Sequence, residues 1–209
     1  MTEIPIGRVL RSSIRGFVVG SRIPEPDVPV FGCFVKAEIQ GGATDLIGLV
    51  YDIQVADDPF VRQLALQEEP DQVAVADQLK NRAVPIEVGV IAAGYRHDGV
   101  VYQGLPPQPP IMLKRIVICD DDEVRVFTER LDFLRVLLNS REVPADELFV
   151  ACLRLAAQAR PEPERRPFLL NAGRELARLM GADLVRLEAV LRHLGQLAAA
   201  PGQRPVKEK

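Results

Sequence analysis

Short β-prone runs punctuated by glycines, between residues 6 and 55, constrain the fold of this 209-residue sequence more than any other feature. The runs are Ile6-Gly7-Arg8-Val9, Gly16-Phe17-Val18-Val19, Phe31-Gly32-Cys33-Phe34-Val35 and Ile47-Gly48-Leu49-Val50-Tyr51-Asp52-Ile53. Glycine weakens the interior of a flat strand and commonly marks a bend or bulge in a small closed barrel. Gly7, Gly32 and Gly48 therefore predict a curled sheet rather than a flat one.

Turn signals separate these runs and continue beyond them. Gln40 to Asp45 contains two glycines and predicts a hairpin, and Asp98-Gly99 predicts a second one after a strand from Pro85 to Tyr95. Residues 111–119 form the last strand candidate, after the proline-rich segment Pro106 to Pro110. Between the two hairpins, an Asp followed by Pro59 begins a stretch with helical spacing, which predicts a helical excursion over about 57–83.

The composition shifts after residue 122 towards Leu, Ala, Arg and Glu. Apolar residues then recur at helical spacing in four segments, each apolar on one side. The first helix is predicted from Phe127 to about Asn139, with Thr128 as a possible cap. The others run from Pro144 to Arg160, from Phe168 to Leu179, and onward from the capping residue Asp183. We expect these helices to pack on one another or on the barrel, with a self-packed bundle favoured over a binding groove.

These patterns predict an α+β fold, in which a small closed antiparallel β-barrel with a helical excursion precedes an α-helical C-terminal region. The predicted domains are a barrel domain at 1–122, with its helical insertion at about 57–83, and a helical domain at 123–200. Residues 201–209 are predicted to be a disordered tail.

The glycine positions of the first half resemble those of the HAS-barrel, the small β-barrel at the N-terminus of HerA-type DNA-translocating ATPases. That barrel is similar to the N-terminal barrel of rotary ATP synthase subunits. Family members have a Gly-x-Val opening, a Gly before the third strand and a Gly-x-Val-x-x-Ile strand. The matching residues here are Gly7-Arg8-Val9, Gly32 and Gly48 to Ile53, and Pro106 to Pro110 resembles the proline segment after the final hairpin. The resemblance covers about residues 4–118.

The resemblance implies a barrel that docks a partner or assembles into a ring, while chemistry in the larger relatives belongs to a separate ATPase domain. The phosphate-binding sequence Gly-x-x-x-x-Gly-Lys-Ser/Thr of such a domain does not occur in these 209 residues. The C-terminal helices match no pattern of that family.

Charge gives one candidate nucleic-acid surface. The formal net charge of −3 provides no general attraction for phosphates. Arg8, Arg11, Arg15 and Arg22 nevertheless make the N-terminal segment locally basic, and barrels of this size can bind single strands. Only Phe17 lies among these arginines, whereas stacking platforms need more aromatic rings. Scattered surface charge is therefore the simpler interpretation.

Other chemistry-bearing residues are few. Asp120-Asp121-Asp122-Glu123 is the densest carboxylate cluster, but successive side chains of an extended chain point to opposite sides, which favours a solvated linker over a metal site. The two histidines, His97 and His193, lie in different halves without a nucleophile motif beside them. Three widely spaced cysteines indicate buried free thiols. No cofactor, metal or catalytic residue is predicted.

Three functions follow as hypotheses. The favoured one is a non-enzymatic assembly or adaptor protein, whose barrel docks a HerA-type ATPase, its associated nuclease or other copies of itself. A nucleic-acid-binding module that uses the arginine-bearing face is the first alternative, and an unrecognised hydrolase is the second. The N-terminus lacks the pattern of a signal peptide, and no run reaches the roughly 18 apolar residues of a membrane span, so we expect a cytoplasmic protein without a membrane partner.

Overall fold

The computed structural model describes residues 3–21, 29–55, 66 and 86–199. Seven strands lie in these ranges: β1 Pro5–Ser13, β2 Gly16–Ser21, β3 Phe34–Ile39, β4 Thr44–Val55, β5 Ile86–His97, β6 Val100–Tyr102 and β7 Arg115–Ile118. The predicted helical insertion at 57–83, apart from Leu66, and the predicted tail at 201–209 lie outside the described residues.

Six of the strands form a closed antiparallel barrel. Their order is β2-β1-β7-β3-β4-β5, and β2 pairs with β5 from Gly16↔Ile91 to Ser21↔Ile86, which closes the cylinder. Among the described strands, β6 pairs with β5 alone, through a two-residue turn in which Asp98 and Gly99 both have positive φ, as primed hairpin turns require. The predicted α+β fold with a small closed antiparallel barrel is confirmed.

Bulges bend the barrel strands near two of the three predicted glycines. The pairing of β1 with β7 shifts register between Pro5 and Gly7, and that of β4 with β5 shifts between Ile47 and Gly48. Gly32 instead lies in the turn before β3 with φ +83°, where an added Cβ would be 2.6 Å from the Cβ of Ala151. This glycine therefore allows the turn to pack directly against the helical half.

Alternation along the strands separates two apolar cores. One face points into the barrel and forms a buried cluster that includes Val9, Val35, Leu46, Val90 and Ile116. The opposite faces of β3, β4 and β5 contribute Phe34, Ile47, Leu49, Ile91 and Ala93 to a second cluster, which is completed by the helices. The helices therefore cover one outer side of the barrel.

Five helices follow the barrel in the described residues: α1 Asp121–Phe127, α2 Phe133–Leu138, α3 Ala145–Gln158, α4 Glu162–Leu179 and α5 Leu184–Ala199. Helices α3, α4 and α5 pack on one another, α2 packs on both α3 and β5, and α1 contacts α3. Phe34 of β3 contacts Phe127 and Phe133 with ring centroids 6.0 and 6.2 Å apart, which connects strand and helices through aromatic packing. None of these helices combines the length and apolar character that crossing a bilayer requires.

The single helix predicted over Phe127 to Asn139 is wrong, because the chain breaks between α1 and α2. Thr128 ends α1 rather than beginning a helix, and its Oγ1 donates to the Val124 carbonyl oxygen at 2.6 Å. Gln103 fills the break: its Nε2 donates to the carbonyl oxygens of Phe127 and Arg130 at 2.6 and 2.8 Å, and its Oε1 accepts from the Phe133 N–H at 3.0 Å. This side chain gives partners to backbone groups that the interrupted helix leaves unpaired.

Two more predicted helix starts, those of α4 and α5, can be compared with the structure, and the second is confirmed. Helix α4 begins at Glu162, before the predicted start at Phe168, because Pro163 falls in its first turn, where a backbone N–H has no helical partner. The cap of α5 is confirmed, since Asp183 Oδ1 accepts from the Arg186 N–H at 3.1 Å.

Candidate partner-binding surfaces

Three consecutive aliphatic side chains project from the loop before β7. Ile111, Met112 and Leu113 are 74%, 69% and 66% exposed. The backbone of the loop is nevertheless fixed: the Leu113 N–H donates to the Val9 carbonyl oxygen at 2.8 Å, and the Lys114 N–H donates to that of Ile111 at 3.2 Å. These apolar side chains are therefore displayed on a rigid support.

Strand β1 holds this loop in place, and the loop itself contains a residue in a strained backbone conformation. Leu10 is 43% exposed and lies on β1 between Val9, which accepts from Leu113, and Ser12, whose hydroxyl donates to the Pro110 carbonyl oxygen at 2.7 Å. Leu113 has φ +64°, a conformation that costs energy for a residue with a branched side chain. We call Ile111, Met112 and Leu113 the apolar patch. Contiguous exposed aliphatic groups of this kind are typical of binding surfaces.

Cationic side chains border the apolar patch. An Arg8 guanidinium N–H donates to the Leu113 carbonyl oxygen at 2.9 Å, and Lys114 pairs with Glu38 at 2.6 Å. The hydrogen bond and the charge of Lys114 lower the pKa of Glu38. In the part of the chain that the structure describes, Arg8 and Arg115 have no carboxylate partner.

A groove of about 850 Å³ lies beside the patch, between the β1–β2 hairpin and the loop that joins α2 to α3. Its floor comes from the outward-facing side chains of Val18 on β2 and Ile91 on β5, because the adjacent Phe17 and Val90 face the barrel interior. Polar side chains form its walls: Arg11, Ser12, Ser13 and Arg15 on the hairpin, and Asn139, Ser140, Arg141 and Glu142 on the helical side.

The structure brings together only some of the four predicted arginines. Arg11 and Arg15 line the groove, and Arg11 also pairs with Glu87 at 3.1 Å. Arg8 lies by the apolar patch instead, and Arg22 is outside the described residues. Arg141 joins the groove from a loop far along the chain, so no pattern within the N-terminal segment indicates it.

The acidic cluster is part of a helix terminus, so its interpretation as a solvated linker is wrong. Asp120 caps α1 by accepting from the Glu123 N–H at 2.9 Å, while Glu123 Oε2 accepts from the Asp120 N–H at 3.0 Å. Glu123 Oε1 also pairs with Lys36 of β3 at 2.6 Å. Burial alone would lower the pKa of Lys36, but the hydrogen bond and charge of Glu123 raise it. Glu123 thus fixes α1 to the barrel wall.

Arg96 of β5 connects the same carboxylate to a neighbouring strand. Its guanidinium pairs with Asp45 of β4 at 2.6 Å and lies 3.5 Å from Glu123. Among the described residues, no group of three or more His, Cys, Asp or Glu side chains is arranged to hold a metal ion.

The histidines and cysteines occupy structural positions. His97 Nδ1 lies 2.7 Å from Thr44 Oγ1 and 3.1 Å from the Ala43 carbonyl oxygen, at the end of the β4–β5 pair. His193 is exposed on α5. The predicted buried free thiols are confirmed for Cys33, Cys119 and Cys152. Burial raises the pKa of Cys33 to about 12 and also raises that of the other two thiols.

No protein-family model matches this sequence, and a search of curated proteins finds no match to it.

Proposed function

We propose that this chain is a non-enzymatic assembly or adaptor protein, in which a HAS-barrel-like barrel docks a protein partner that supplies the chemistry. The glycine pattern that resembles the HAS-barrel suggests the partner: a HerA-type ATPase, its associated nuclease, or further copies of this chain. The observation that carries the proposal is the apolar patch, three exposed apolar side chains on a loop whose backbone is held by hydrogen bonds.

The size of the patch is sufficient to provide the centre of an interface. Complete burial of one such aliphatic side chain contributes about 1.5–3 kcal/mol. Because the three side chains are already partly covered, burying the remainder contributes about 4–5 kcal/mol. Association itself costs about 4–15 kcal/mol, so the patch offsets much of that cost and polar contacts at its border must supply the rest. The fixed backbone also reduces the entropy lost on binding.

The experiment mixes the purified chain with a HerA-type ATPase or its nuclease from the same genome and measures mass by size-exclusion chromatography with light scattering. We expect a complex with one of these proteins, or a self-assembled species of the chain alone. The double variant Ile111→Asp, Met112→Asp should weaken that assembly by about 100-fold, because it removes about two thirds of the apolar area that the patch would bury.

The matched control is Leu184→Asp, Val185→Asp, which changes two equally exposed aliphatic residues at the start of α5. This control should assemble like the unchanged chain. A strict monomer that binds neither partner would contradict the proposed function, and equal assembly by both double variants would exclude the apolar patch as its site.

A further inference from the structure

We propose that the groove between the β1–β2 hairpin and the α2–α3 loop binds an extended segment of a partner protein in which carboxylate and aliphatic side chains alternate. This inference rests on the proposed docking function and adds a second contact with its own chemistry. Grooves of this volume accommodate several residues of a ligand, and this one combines an apolar floor with basic walls.

The walls of the groove favour carboxylates. Three guanidinium groups line it, from Arg11, Arg15 and Arg141, against the single lining carboxylate of Glu142. Arg11 already pairs with Glu87 at 3.1 Å. Arg15 and Arg141 are exposed and, within the residues that the structure describes, pair with no carboxylate. Two cations on opposite walls are therefore available to the carboxylates of a ligand.

The floor of the groove favours aliphatic side chains between those carboxylates. Val18 and Ile91 present the outer apolar surface of two paired strands, and Leu105 is half exposed at the border. Successive side chains of an extended peptide point in opposite directions. An alternating segment can thus place aliphatic groups on the floor and direct its carboxylates outward to the arginines.

A nucleic-acid strand fits these walls less well. Phe17 is buried, which leaves Tyr51 as the lining aromatic ring with exposed surface, and that ring packs over Gly89. Burial, followed by the charges of Glu142 and Asp52, raises the pKa of Tyr51. Among the lining residues a base would therefore find one partly buried ring on which to stack, whereas strand-binding proteins provide several. The backbone N–H groups of a peptide, in contrast, can donate to Glu142.

The test selects a phage-displayed library of random twelve-residue peptides on the purified full-length chain and measures affinities of the enriched peptides by fluorescence anisotropy. We expect enrichment of peptides that alternate Asp or Glu with Leu, Ile or Val. The double variant Arg15→Ala, Arg141→Ala should bind them about tenfold more weakly, the effect of losing two solvent-exposed charge pairs. Leu105→Glu should also weaken binding, because it removes an apolar side chain at the border of the groove while both arginines stay in place.

Arg166→Ala, Arg174→Ala is the matched control, because both residues are exposed arginines on α4, away from the groove. It should bind the peptides like the unchanged chain. No enrichment, enrichment of basic peptides, or equal binding by the Arg15/Arg141 variant would overturn the inference. If a ten-nucleotide oligothymidylate binds more tightly than the enriched peptides, and the Arg15/Arg141 variant loses that binding, the groove would be assigned to nucleic acid. Complex formation through the apolar patch is measured separately, so either proposal can fail while the other stands.

Discussion

Replacing Gln103 with Leu tests whether one side chain maintains the break between α1 and α2. The amide of Gln103 makes three hydrogen bonds to backbone groups on both sides of the break, to Phe127, Arg130 and Phe133, at 2.6, 2.8 and 3.0 Å. Leucine has a similar size but no donor or acceptor. All three backbone groups would then lose their protein partner.

The expected destabilisation follows from these three bonds. Each contributes about 0.5–1.5 kcal/mol net, and Gln103 is only partly buried, so water can replace some of what is lost. We therefore expect the free energy of unfolding to fall by about 2 kcal/mol. For a chain of this size the corresponding decrease in Tm is roughly 4–8 °C.

The measurement is urea unfolding of the variant beside Gln108→Leu, the same change at an exposed glutamine of the neighbouring proline-rich segment. Gln108→Leu should lie within about 0.5 kcal/mol of the unchanged protein. Gln103→Glu separates donation from acceptance: its carboxylate would face two carbonyl oxygens at pH 7, and protonation should recover part of the loss near pH 4 because it restores a donor. Equal stability of the two Leu variants would refute the bridging role of Gln103.

Three more predictions concern buried polar groups. The thiols of Cys33, Cys119 and Cys152 should resist a thiol-reactive dye in the native protein and react together in denaturant, because burial raises the pKa of each. Labelling of any one of them without unfolding would contradict this. Glu123 raises the pKa of Lys36 in the folded state. The pairing of the two side chains therefore stabilises the folded protein fully at pH values below the pKa of Lys36 in the unfolded chain, about 10.4, and this stabilisation is lost as the pH rises further. The difference in the free energy of unfolding between the unchanged protein and Glu123→Gln should therefore be constant from about pH 7 to 9 and shrink above about pH 10.5, and a constant difference up to pH 11 would exclude this linkage. Arg160→Met should lower the free energy of unfolding in urea by about 2–3 kcal/mol, because it removes bonds to the Ala156 carbonyl oxygen at 2.7 Å and to Thr128 Oγ1 at 2.8 Å, whereas Arg166→Met should be neutral.

Local sequence signals predict the strands and hairpins well but not the helix break. Glycines and Asp98-Gly99 act through their own backbone conformations, so they can be recognised without knowing what surrounds them. The spacing of Phe127, Leu131, Leu134 and Leu138, in contrast, fits one continuous helix. The break is held by Gln103, which lies 24 residues before Phe127 and 30 before Phe133, so no local pattern contains it.

The candidate surfaces follow the same rule. Arg11 and Arg15 are recognisable as a basic segment, but Arg141 reaches the groove only through the packing of the helices on the barrel. Ile111 to Leu113 look like the beginning of a strand, because apolar residues before a paired segment normally continue it. A short apolar run without polar alternation is typical of a buried strand, so no local pattern indicates that these three residues form an exposed loop.

Closure of the barrel between β1 and β7 also has a consequence during synthesis on the ribosome. The loop contact between Arg8 and Leu113 joins residues 105 positions apart, so the first strand emerges long before its last partner. At about 5–20 residues per second, the nascent chain waits several seconds or more with one edge of its first hairpin unpaired. The first strand of the barrel to be made is thus the last to be sealed, and it is the segment on which chaperones would be most needed.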